Sequence, residues 1–217
     1  MAQINQQIQP ASISLHSGQR IGLLGGSFDP IHIAHIQLAC AARDHLNLDS
    51  VTLIPASQPW QRDDLKVNGQ QRLEMVKLAI ANKPKLSVST LEIDRGGPTY
   101  TIDTIHLLDP KPNYFWLLGA DQLNNFCTWH KWADIAERVT LVVAQRPHSP
   151  LCIPSPLQDR INQGRAALEV LPFEPLAVSS RDIRQRLASN QSVDSLLDKQ
   201  VIQYIKAHNL YRANSEN

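Results

Sequence analysis

Four short apolar runs limit the fold of this chain more than any other feature. They are Arg20–Gly25 (RIGLLG), Ser50–Pro55 (SVTLIP), Tyr114–Gly119 (YFWLLG) and Val139–Ala144 (VTLVVA). Each is apolar almost throughout instead of alternating, the pattern of a strand buried on both faces of a parallel sheet. Between them lie stretches with helical spacing. Ile33–Leu46 has Ile36, Leu38, Ala39, Ala42 and Leu46 at its apolar positions, and Gly69–Ala81 carries Leu73, Val76 and Ile80 on one stripe. Thr101–Leu108 and Trp132–Glu137 are shorter candidates. This alternation predicts βαβ units, and so an α/β fold: a doubly wound, Rossmann-like parallel sheet with helices on both faces. The last third differs, with a proline-rich break (PHSPLCIPSPLQ) before two helical patterns, SSRDIRQRLASN and SLLDKQVIQYIKAHNLY.

With 217 residues, 42% of them hydrophobic, the chain is expected to form one domain over residues 20–217 behind a polar extension, residues 1–19. A formal net charge of +1 gives no overall field to recruit nucleic acid or a membrane surface, so anions must be attracted locally. No apolar run approaches a membrane span, and the first twenty residues lack the layout of a signal peptide. Cys40, Cys127 and Cys152 are widely spaced and form no CxxC pair. A cytoplasmic protein is the expectation.

The stretch GLLGGSFDPIHIAH, residues 22–35, joins the first strand to the first helix. In open α/β sheets ligands sit outside the carboxyl ends of strands, where this stretch would lie. Gly25 and Gly26 would let the main chain turn tightly and present its N–H groups, and the helix start adds free donors and a positive dipole end. Such a corner favours an anion, most readily phosphate. Asp29 before Pro30 reads as a turn residue whose carboxylate caps backbone amides. His32 and His35, three apart, can share a helical face and donate to the same phosphate, more strongly if protonated beside it. Two structural histidines, or a zinc site lacking an evident third ligand, are the competing readings. No Gly-Lys-[Ser/Thr] follows, and no GxGxxG is present, so neither common nucleotide loop applies.

The stretch resembles the nucleotidyltransferase signature Gly-Gly-[Ser/Thr]-Phe-Asp-Pro-x-His-x-Gly-His, with Ala34 in place of the usual second-to-last glycine. LEIDRGGPTYTIDT (91–104), LLGADQLNNFCTWHKW (117–132), VSSRDIRQRL (178–187) and VIQYIKAHNLY (201–211) resemble, in order, further segments of bacterial nicotinate-nucleotide adenylyltransferases. The resemblance spans about Arg20 to Arg212. It implies adenylyl transfer from ATP to nicotinate mononucleotide, giving nicotinate adenine dinucleotide and pyrophosphate in NAD biosynthesis, with Mg²⁺ accompanying ATP. Nicotinamide mononucleotide as acceptor, or a catalytically inactive nucleotide-binding module, are the alternatives. The attacking phosphate is already an anion, so positioning and electrostatics would supply most of the rate.

The resemblance also implies roles for particular residues. Gly25, Gly26, Ser27, Phe28, His32 and His35 would line the ATP phosphates, with His32, His35 and Arg184 serving catalysis. Asp121 would contact the adenosine ribose or else cap a helix. Ser179 and Ser180 would meet phosphate at a helix start, cap it, or do both. Arg184 would face the phosphates or solvent. Tyr100, Thr101, Trp129 and His130 would receive nicotinate mononucleotide, with Trp129 stacking on the ring or packing in the core, and Trp132 in the core. Main-chain donors around Trp129–His130 would favour an acid over an amide. Gln61, Arg62 and Arg181 depart from the family's histidine, lysine and threonine.

Overall fold

The computed structural model describes residues 18–59, 65–146, 150–174 and 176–212. Gln61, Arg62 and most of the N-terminal extension lie outside these residues. In chain order the elements are β1 (Arg20–Gly26), α1 (Ile33–His45), β2 (Ser50–Pro55), β3 (Gln58–Pro59), α2 (Gly69–Ile80), β4 (Leu86–Val88), α3 (Leu91–Arg95) and β5 (Pro98–Thr99). They continue with α4 (Thr101–His106), β6 (Asn113–Gly119), α5 (Ala120–Asn124), a 3₁₀ turn (Phe126–Thr128), α6 (Trp132–Arg138), β7 (Thr140–Gln145), α7 (Ser155–Asn162), β8 (Ala167–Pro172), α8 (Ser180–Ala188) and α9 (Lys199–Ala207).

The four apolar runs become β2, β1, β6 and β7, the centre of a six-stranded parallel sheet ordered β4-β2-β1-β6-β7-β8. Their continuous hydrophobicity matches burial from both sides. One core cluster packs Ala39 and Ala42 of α1, Met75 and Val76 of α2 and Val201 and Ile205 of α9 with Leu53 and Leu117 of the sheet. The other gathers Ile102, Phe126 and Ile135 with Leu23, Trp116 and Leu141. Val201, Ile202 and Ile205 of α9 are each at most 6% exposed, contributing about 1.5–3 kcal/mol apiece.

Two stretches of the last third differ from the expectation. Ala167–Pro172 pairs with β7 as an edge strand, from Thr140↔Ala167 to Gln145↔Pro172. Its apolar residues are interrupted by the charged Glu169, and Val170 is 46% exposed, so it lacks the unbroken run of a strand buried on both faces. The proline-rich break contains the start of α7, with Pro156 in the first turn, where a missing N–H breaks no helical bond.

The strand order reverses around β1, whose neighbours are β2 and β6. Pairing of β1 with β2 continues to Gly26↔Pro55, and that of β6 with β7 to Gly119↔Ala144. Pairing of β1 with β6 ends earlier, at Leu23↔Trp116. The two central strands therefore part over their last three residues, and the sheet forks at its topological switch point. A crevice of this kind is where doubly wound proteins bind ligands.

Candidate active site

The fork is lined on one side by the corner from Gly25 to His35. Neither Gly25 nor Gly26 has a positive φ, so the expected tight glycine turn is absent. The glycines are needed for packing: a Cβ on Gly25 would lie 2.9 Å from the Trp116 indole, and one on Gly26 would lie 3.0 Å from the Phe28 ring. The turn comes at Phe28, whose φ of 47° is left-handed and unusual outside glycine. Phe28 is only 1% exposed, and its ring meets His35 edge-on at 5.1 Å.

Asp29 does not cap α1. Its carboxylate, 1% exposed, accepts hydrogen bonds from the Tyr211 hydroxyl (2.7 Å) and the Lys66 amide (2.9 Å). The fully buried Arg72 of α2 donates to the carbonyls of Ser27 (2.7 Å) and Ser57 (2.8 Å), tying the corner to the loop after β2. Burial lowers the Arg72 pKa, while the nearby carboxylates of Asp29 and Glu92 oppose that. These anchors escape sequence reading because a single arginine beside an apolar helical stripe looks like a residue of the solvated face.

The two imidazoles stack with centroids 3.8 Å apart. The His32 amide donates to His35 Nδ1 at 3.2 Å, which leaves Nε2 to carry the proton of a neutral His35 ring. His32 is 7% exposed, and its Nδ1 is buried without a partner. Burial pulls its pKa down to about 4, so near neutral pH it is an uncharged donor or acceptor here, not the cation considered from sequence. The helix start offers fewer amides than expected, because the Ile33 N–H is held by the Leu196 carbonyl at 3.0 Å.

The start of α8 is stitched to the same corner. Ser180 Oγ donates to the Pro30 carbonyl (3.0 Å), and Arg184 donates to the Asp29 carbonyl (2.9 Å), with the Asp29 carboxylate 3.7 Å away. The Arg184 side chain is 12% exposed, so the solvent-facing reading does not hold. Ser179 caps α8 by accepting the Asp182 amide at 3.1 Å. Arg181 is exposed.

Across the fork, Gly119 is the residue that caps α5, and a Cβ there would meet nothing within 4 Å. The Gln122 side chain accepts the Gly119 amide at 3.1 Å. Asp121 is thus not the cap; it is exposed in the first turn, free of that task. Tyr100 and Thr101 open α4, and the Tyr100 ring lies 5.0 Å from that of His130. Trp129 is half-buried, 5.4 Å from Phe126, so it has a packed side as well as exposed area. Its amide is held by the Phe126 carbonyl at 3.0 Å, which removes one of the main-chain donors expected to meet a carboxylate. Trp132 packs against the same core beside Phe126.

Among the described residues no three His, Cys, Asp or Glu side chains gather as a metal cage, and both Asp29 oxygens are engaged. The described residues offer no all-protein cage, so a magnesium ion here would be held mainly by the substrate's phosphates. Nor does any described helix have the length and hydropathy to cross a membrane.

A forked parallel sheet with a Gly-Gly…His-x-x-His corner on one side and an aromatic cluster on the other is the layout in which doubly wound proteins bind ligands. Residues 23–186 match the family model described as cytidylyltransferase-like. A probable nicotinate-nucleotide adenylyltransferase from Bordetella parapertussis is 55% identical over 193 residues, covering 89% of this chain and 98% of the relative. One from Pseudomonas fluorescens is 37% identical, covering 90% and 99%. The structure of Plasmodium falciparum nicotinic acid mononucleotide adenylyltransferase complexed with NaAD shares the fold, with a TM-score of 0.71 at 21% identity over 91% of this chain and 100% of that one. The chain belongs to the cytidylyltransferase-like family and, within it, to the nicotinate-nucleotide adenylyltransferases.

Proposed function

We propose that the protein joins ATP and nicotinate mononucleotide in the forked crevice, releasing pyrophosphate. An oxygen of the mononucleotide 5′-phosphate bonds to the α-phosphorus of ATP. The bond from that phosphorus to the bridging oxygen breaks, and the electron pair leaves with pyrophosphate. The attacking group is anionic beforehand, so no protein base is required. What the site must do is hold anions in line and donate to the charge that builds up.

The observation that carries this reading is the hydrogen bond from the His32 amide to His35 Nδ1, which makes Nε2 the nitrogen that carries the proton of the neutral ring. In the proposal it meets the α-phosphate, with His32 beside it as a neutral partner. Gly25–Phe28 supply the wall for the triphosphate, and the α8 start closes it, Arg184 balancing charge from its post on Asp29. Asp121 faces the adenosine ribose. Trp129, Tyr100, Thr101 and His130 receive the pyridine nucleotide, and the 55% identity to a relative carrying the nicotinate name supports the acid as acceptor. Magnesium enters as part of the ATP complex. Residues 20–217 act as one nucleotidyltransferase unit in the cytoplasm.

Pyrophosphate release is measured with ATP and either nicotinate or nicotinamide mononucleotide. Rapid release with the acid and at least tenfold lower kcat/KM with the amide is the expected result. The reverse preference overturns the acceptor assignment, and nucleotide binding without release would make the protein a binding module.

A further inference from the structure

The last described residues of the chain reach back to the Gly25–His35 corner. α9 is followed by a turn in which Asn209 and Tyr211 are both left-handed, with φ of 51° and 60°. An aromatic residue rarely takes that conformation, so its surroundings must hold it there. Leu210 and Tyr211 are each 9% exposed, and the Leu210 amide donates to the Ile205 carbonyl of α9 at 3.0 Å. The turn brings the Tyr211 hydroxyl onto Asp29, next to Phe28, the left-handed residue of the corner. Two unusual backbone positions far apart in sequence are thus joined through one carboxylate.

The hydrogen-bond donors to that carboxylate are neutral. Oδ1 accepts the Tyr211 hydroxyl at 2.7 Å, and Oδ2 accepts the Lys66 amide at 2.9 Å. Arg184 Nη1 stands 3.7 Å from Oδ2 and donates instead to the Asp29 carbonyl at 2.9 Å. A carboxylate only 1% exposed ordinarily draws a neighbouring cation into a close ion pair. Here a phenol and a backbone amide satisfy its oxygens, and the guanidinium rests on the main chain. Burial, and after it the charge of Asp29, raises the Tyr211 pKa, so the phenol keeps its proton and remains a donor.

We propose that Tyr211 is a positioning residue for ATP: by occupying Asp29 Oδ1 it keeps Arg184 on the Asp29 carbonyl, toward the triphosphate, and out of a close ion pair with the carboxylate. This rests on the reading above of Arg184 as a counter-charge to ATP. Phenylalanine at position 211 leaves Oδ1 without its donor, and Arg184 is a cation already beside the carboxylate. The guanidinium then closes on Asp29, and its charge is neutralised there instead of at the phosphates.

The test compares wild type, Tyr211→Phe, Arg184→Ala and the double variant, with circular dichroism to check the fold. Alone, Tyr211→Phe should raise the KM for ATP about fivefold or more, with kcat within about threefold and the KM for nicotinate mononucleotide within about twofold. In the Arg184→Ala background the same change should alter ATP KM less than about twofold, because the residue it acts through is gone. An unchanged ATP KM, an equal rise for both substrates, or the same factor in both backgrounds overturns the proposal. If Tyr211→Phe does not fold, amide exchange of wild type decides. By reciprocity, a non-hydrolysable ATP analogue should slow exchange across residues 208–212 more than across α7, whose Leu157 lies in the other core cluster. Equal slowing, or none, refutes the role. If wild type releases no pyrophosphate, the functional reading falls, and dissociation constants for the analogue in the same four proteins still decide whether Tyr211 acts through Arg184. Failure of wild type to bind the analogue overturns both.

Discussion

The two walls of the crevice are built in opposite ways. The Gly25–His35 corner, proposed to hold phosphate, is contiguous, and buried partners from distant elements hold it: Arg72 donates to the Ser27 carbonyl and Tyr211 to the Asp29 carboxylate. The opposite wall, proposed to receive the acceptor, is assembled from separate pieces, Tyr100–Thr101 and Trp129–His130, which meet where the Tyr100 ring lies 5.0 Å from that of His130. Two buried titratable groups, His32 in the corner and Glu92 of α3, which accepts the Thr104 hydroxyl, are shifted in opposite directions: burial lowers the His32 pKa to about 4 and raises that of Glu92 to about 7. The corner is suited to a rigid charge template, and the other wall to a surface whose fit can be adjusted.

The sharpest way to break this contrast is to remove the donor in the corner. His35→Ala should lower kcat by roughly 10²–10³, about 3–4 kcal/mol of transition-state stabilisation, while substrate KM values change little and the fold persists. Steady-state kinetics with circular dichroism check it. A variant within threefold of wild type would remove His35 from the chemistry.

The opposed burial of His32 and Glu92 predicts a masked pH dependence of stability. Between pH 6.5 and 4 the unfolded chain takes up a proton that folded His32 refuses, so this group costs up to about 3 kcal/mol as pH falls. From pH 4.5 to 7 folded Glu92 keeps a proton the unfolded chain has lost, costing a similar amount, about 3 kcal/mol, as pH rises. The two nearly cancel between pH 4.5 and 6.5 in wild type. Glu92→Gln removes one side, so its stability should drop more steeply than wild type on acidification. Urea unfolding at several pH values reads this directly, and parallel profiles would contradict it.

Glycines at the fork give a smaller but cleaner contrast. Gly25→Ala places a methyl 2.9 Å from Trp116 and should cost about 1–3 kcal/mol of stability, whereas Gly119→Ala meets open space and should cost little. Thermal melts separate them. Trp129→Ala should raise acceptor KM roughly tenfold, about 1.4 kcal/mol, with ATP KM unchanged. A comparable rise for ATP would mean that the ring serves the core alone.

Legibility in the sequence follows the same division. The central strands could be read because burial on both faces leaves continuous apolar runs, and the Gly25–His35 motif could be singled out because its residues are contiguous. β8, an edge strand with half its surface in water, left no such run. Nor did β3 and β5, two residues each. Asp29 looked like a local cap because its partner Tyr211 is 182 residues away. Arg72 and Glu92 were silent for a similar reason: a charged residue announces burial only once its partners are known. The need for Gly25 was visible, but the cause, an indole lying on it, was not.

The central claim is that the Gly25–His35 corner holds the phosphates of ATP. A crystal structure with a non-hydrolysable ATP analogue tests it most directly. The account predicts an α- or β-phosphate oxygen within hydrogen-bond distance of His35 Nε2, with the triphosphate running along Gly25–Phe28 toward the start of α8. A triphosphate bound elsewhere, with His35 Nε2 facing no phosphate oxygen, would contradict it.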